Sequence, residues 1–237
     1  SLFNMGKTSR RIQLEVPTCL ADIKLGEYQR YIKVADKNEG ADEFLNKKLI
    51  EIFCDVTLRD VDQIPMVEAE KVISIIGKAF EEKPSLIRHF KLLDVDMGFI
   101  PKLDEISLGE YIDLENNISD WQKMHLAMGV LFRPVNFKSK DKYTIAPYLP
   151  SEEMQSIMKE MPMDVVMGAM VFFYDLGKEL SMAILNFMEI ESKMNPKATQ
   201  LKETLAQNGV GISQFMHLLK GMSSNSMKLP HMDYLSV

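Results

Sequence analysis

The 237 residues of this chain include only two cysteines, four histidines and one tryptophan. Cys19 and Cys54 are too few for a disulfide framework, and no Cys-x-x-Cys pair offers zinc a foothold. The expectation is a reducing compartment. The opening residues, Ser1 to Arg11, hold no hydrophobic signal core. The longest apolar run, Val165 to Tyr174, is about half the roughly 20 residues that a bilayer crossing needs. A cytoplasmic protein with no membrane partner is therefore expected.

Basic charge is also scarce. Lys and Arg number 28 against 34 Asp and Glu, for a net charge of −6. Nucleic-acid affinity rests mainly on cations meeting phosphates, so no nucleic-acid partner is expected. Catalytic signatures are absent as well: no Gly-rich phosphate loop, no Gly-x-Ser-x-Gly and no His-Glu-x-x-His. His89, His125, His217 and His231 are scattered, and Asp94 and Asp96 form no ligand pattern. The chain reads as a non-enzyme with no catalytic residues, metal ligands or cofactor.

What is present is a repeat. Leu20-Ala-Asp-Ile-Lys-Leu-Gly-Glu-Tyr28 returns as Leu103-Asp-Glu-Ile-Ser-Leu-Gly-Glu-Tyr111. Each copy follows an apolar residue and a proline, Val16-Pro17 and Ile100-Pro101. An acid before the isoleucine suits a helix N-terminus, whose free N–H groups need acceptors. The spacing predicts a strand, a turn and a helix entry in both places. Gly26 and Gly109 predict close backbone packing, since glycine costs a helix roughly 1 kcal/mol relative to alanine. The tyrosines are expected to fold back on the core, or else to form equivalent partner contacts.

The fold class expected is mainly α with a small β component. Two related strand-turn-helix halves, 10–95 and 96–192, surround one core; a flexible arm (1–9) precedes them and a tail (193–237) follows. Arg11 to Val16 alternates as a half-buried strand does. Helices are expected over 23–34, 42–54, from Pro65 to Pro84, from the second motif to about 115, over 121–132, from Ser151, and over 162–192. Residues 55–64 read as a connector, 85–90 as a short helical turn, and 92–100 as extended. Residues 135–148 read as a hairpin or long arm. Cys54 ends an amphipathic helix and reads as core. The 18 methionines read as core filling, or as an adaptable binding surface. Arg133, alone in Leu131-Phe132-Arg133-Pro134-Val135, is either a structural arginine paired to an acid such as Glu110 or an interface contact.

Several stretches together resemble a known family. They are Gly98-Phe99-Ile100-Pro101, Leu103-Asp-Glu-Ile106, Leu108-Gly-Glu-Tyr-Ile-Asp-Leu114, Met128-Gly-Val-Leu-Phe-Arg-Pro-Val135 and Tyr143-x-Ile145-x-Pro147-Tyr148. They resemble the tail assembly chaperones of tailed bacteriophages, over about residues 10–190. The resemblance implies an acidic, largely helical protein of virion assembly, with phage tail or neck proteins as partners. It implies the host cytoplasm as its place of action, with self-association left open. A structural subunit of the neck, tail or capsid is the alternative, residing in the virion. The expected partner-binding residues are Tyr28, Tyr111 and Arg133, with Phe215, Met216, Leu219, Met222 and Met227 in the apolar tail.

Overall fold

The computed structural model describes residues 13–173 except 141, together with Asp175. The arm, the far end of the 162–192 helix, and the tail with Phe215, Met216, Leu219, Met222 and Met227 lie outside the described residues.

The described part is mainly helical, with one small antiparallel sheet. A 3₁₀ turn, Leu20–Asp22, leads into α1, Leu25–Ala35. Then come α2, Asp42–Phe53, the short α3, Leu58–Val61, and α4, Met66–Ala79. The hairpin β1 (His89–Leu92) and β2 (Val95–Phe99) precedes a second 3₁₀ turn, Leu103–Glu105. Helix α5, Leu108–Ile118, packs on α6, Met124–Leu131, which runs directly into β3, Phe132–Ser139. Strand β4, Lys142–Ile145, α7, Glu152–Ile157, and a helix from 163 complete the described chain. The sheet order is β1-β2-β3-β4. The start of β3 pairs with β2, and its far half pairs with β4 across an irregularity between Val135 and Phe137.

Each motif copy folds in the same local form. A 3₁₀ turn, an extended isoleucine and an N-cap precede an 11-residue helix; Glu27 accepts from the Lys24 N–H in α1, and Ser107 and Glu110 form a full capping box in α5. Among the described residues, a named strand precedes the second copy and not the first. Gln13 makes a single β-bridge, and Leu14 is buried and Glu15 exposed as the alternation predicts, but residues 14–17 belong to no strand. Residues 85–90 correct another expectation: Pro84 is followed by extended chain, and the strand begins at His89. Leu93 and Asp94 both take positive φ, 46° and 67°, and make the two-residue turn between β1 and β2. The connector at 55–64 contains α3, capped by Thr57.

The buried residues form one cluster. In its helical part Tyr28 sits edge-on to Trp121, at 4.9 Å between ring centroids, and beside Phe80 at 5.7 Å. In its sheet part Phe99 touches Phe132, Phe172 and Phe173, tying β2 and β3 to the last helix. Met97, Met124, Met128, Met158, Met161, Met163, Met167 and Met170 are buried here, so these methionines fill core. Cys54 is buried and Cys19 half-buried.

Candidate functional site

Helix α5 and the chain around the sheet enclose a cleft of about 320 Å³. Its construction starts at the α5 cap. The Ser107 N–H donates to Glu110 Oε2 at 2.8 Å, and the Glu110 N–H donates to Ser107 Oγ at 3.3 Å. The free oxygen, Oε1, meets Arg133 Nη2 at 2.7 Å, and both side chains are largely buried. Burial pushes the Glu110 carboxyl up, but Ser107 and the Arg133 guanidinium together outweigh that and hold it below its usual range.

One turn further along α5, Asp113 Oδ2 accepts the Tyr148 hydroxyl at 2.8 Å. Burial and this bond raise the Tyr148 phenol, so it stays a neutral donor. The Asn117 side chain donates to the Asp113 carbonyl at 2.6 Å. The cleft thus has a fixed polar edge. Its other walls are apolar: Leu126, Gly129 and Phe132 on one side, Met154 and Met158 on the other. Pro147, Leu149 and Pro150 form the rim, where Leu149 is 77% exposed. An apolar cleft with a few convergent polar groups is the form of a binding site, and roughly 300 Å³ is the lower end of the usual size. Methionine adapts its shape to what it meets, so these walls suit varied apolar side chains.

The structure separates the residues expected to bind partners. Arg133 lies at the cleft and pairs with Glu110. Tyr111 is half-buried on α5. Tyr28 is 0% exposed, between Trp121 and Phe80. That corrects the partner-contact reading, because a ring wholly enclosed by its own core cannot meet another chain. Asp113, Tyr148 and Met154 were not among the residues expected to bind partners. The i, i+3 spacing of Glu110 and Asp113 put both on one helical face, but nothing local brought Tyr148 to them.

Among the described residues no cluster of three or more His, Cys, Asp or Glu could hold a metal. No described helix is long and apolar enough to cross a membrane. The chain matches no protein-family model, no curated protein and no solved structure.

Proposed function

We propose that this protein is a tail assembly chaperone of a tailed phage, holding apolar segments of tail or neck proteins in the host cytoplasm before they enter the particle. The observation that carries this reading is the Met-, Leu- and Pro-walled cleft with its polar edge of Asp113, Tyr148 and Arg133. Such a site takes side chains of an extended or helical segment. The residues that carry the phage resemblance also gather there: Gly129, Phe132, Arg133, Pro134, Pro147 and Tyr148 all line the cleft. We read the two motif copies as marks of two related halves in one domain.

The test is co-expression of the full chain with phage tail proteins. The wild type keeps one of them soluble and co-purifies with it. Leu149→Asp combined with Met154→Asp places charge on the rim and wall of the cleft. The recovered partner then falls at least fivefold while the chain's own unfolding midpoint is unchanged. Equal recovery with the double variant contradicts the assignment of the cleft.

A further inference from the structure

Helix α5 carries three acids, Glu110, Asp113 and Glu115, and neither Lys nor Arg. Glu110, Asp113 and Asn117 recur at spacings of three and four, so one helical face presents them all. Asp113 and Asn117 line the cleft from that face, and Glu110 meets Arg133 behind it. What this edge offers a visiting segment depends on which atoms the fold already satisfies.

Glu110 is matched. One oxygen accepts from the Ser107 N–H and the other meets Arg133 Nη2, so the Glu110 and Arg133 charges cancel. Arg133 Nε is enclosed, out of reach of anything in the cleft. Asp113 is not matched. Its Oδ2 accepts the Tyr148 hydroxyl, and among the described residues nothing meets Oδ1 and no cation pairs with the carboxylate. Asn117 turns its amide nitrogen to the Asp113 carbonyl, which leaves its side-chain oxygen as an acceptor with no described partner. Asp113 and Asn117 are both half-buried. Tyr148 and Asn117 thus donate to Asp113 itself, and the atoms left unpartnered on α5 are acceptors.

Among the described residues lining the cleft, Arg133 is the one cation and Asp113 the one anion. With Arg133 neutralised by Glu110, the charge that remains is negative. An ammonium or guanidinium carries donors only. At this edge it meets a carboxylate oxygen and an amide oxygen one helical turn apart, while the apolar residue beside it covers Leu126, Met154 and Met158. A carboxylate or phosphate would instead meet the Asp113 charge, with no unmatched cation to receive it. A charge entering a largely apolar cleft has to be paired and hydrogen-bonded there, and this edge does that for a cation.

We propose that the cleft selects segments in which a Lys or Arg stands beside an apolar residue, with Asp113 binding the cation and Asn117 serving as a second acceptor. This rests on the reading of the cleft as a site for apolar segments, and adds to it the charge those segments carry.

The test titrates the full chain at neutral pH with hexylamine, hexanol and hexanoate, probes that share an apolar chain and differ in charge. Methyl NMR of the methionines reads the binding, with the Met154 and Met158 signals identified from Met154→Leu and Met158→Leu. The expected result is that hexylamine moves both signals, binds at least fivefold more tightly than hexanol, and leaves hexanoate the weakest of the three. Asp113→Asn keeps an acceptor for the Tyr148 hydroxyl and removes the charge, so the ratio of hexylamine to hexanol affinity should fall close to one. Hexanol binding as tightly as hexylamine, hexanoate binding more tightly than hexanol, or an amine preference that survives Asp113→Asn would overturn the proposal and leave the cleft an apolar site. Failure of all three probes to move Met154 or Met158 would overturn it together with the reading of the cleft.

Discussion

Arg133 lines the cleft and pairs with Glu110 behind it, and each is costly to leave alone there. Removing one member of a buried ion pair strands the other charge, at about 3–5 kcal/mol. Arg133→Met is expected to lower unfolding free energy by about 3 kcal/mol. Adding Glu110→Gln should recover part of that, because the stranded carboxylate is then neutral. Urea denaturation of both variants checks the order. Tyr28 predicts the opposite sign. Its hydroxyl is buried with no partner among the described residues, so Tyr28→Phe should raise stability by up to about 1 kcal/mol and leave partner binding unchanged. A loss of stability would mean that the hydroxyl is satisfied.

His125 makes stability depend on pH. The Gln29 side-chain amide donates to the Trp121 carbonyl at 2.7 Å, and the same nitrogen lies 3.0 Å from His125 Nδ1. The imidazole must accept there, which requires the neutral ring. Burial, with Lys159 nearby, holds His125 below its ordinary value. The unfolded chain then binds more protons than the folded one below about pH 6.5. Stability therefore falls as pH drops from about 6.5 through the folded-state value. His89, lowered by burial and by Lys138 and Arg88, acts in the same direction. Glu110 adds a separate loss at lower pH, as its depressed carboxyl is finally protonated. Urea midpoints at stepped pH values test this. His125→Asn, which keeps an acceptor toward Gln29, should flatten part of the slope between pH 7 and 5.5.

At the scale of elements, Gly168 is the tightest crossing at a glycine among the described residues. A Cβ there would lie 2.2 Å from the Ser85 carbonyl oxygen. Alanine normally favours a helix, yet Gly168→Ala should destabilise this one by about 1–3 kcal/mol, the usual cost of overpacking, visible as a lower thermal midpoint. Much of this layer was legible in the sequence. Ser151 stands where a helix was expected to start and caps α7, accepting from the Met154 N–H. The repeat gave two matching helix entries. The β1–β2 hairpin was hidden because its turn is Leu93-Asp94, with neither the Gly nor the Asn that usually marks positive φ. The pairing of Lys24 with Pro162, where the Leu25 N–H donates to the Met161 carbonyl and the Met163 N–H to the Ile23 carbonyl, was hidden too, because nothing local joins segments so far apart in sequence. The cleft was half legible. Arg133 and Glu110 were readable as a pair, whereas Tyr148 reaches Asp113 only through the tertiary path of β3 and β4.

For the whole molecule, one buried cluster ties the two motif-bearing halves together, and the cleft lies on its surface. The most direct measurement is quantitative mass spectrometry of purified phage particles beside lysate from infected cells. The account predicts that the chain is abundant in the lysate, co-purifies there with a tail protein, and is missing from finished particles. Finding it in particles at the copy number of a ring or tube subunit would contradict the chaperone reading and make it a structural component of the virion.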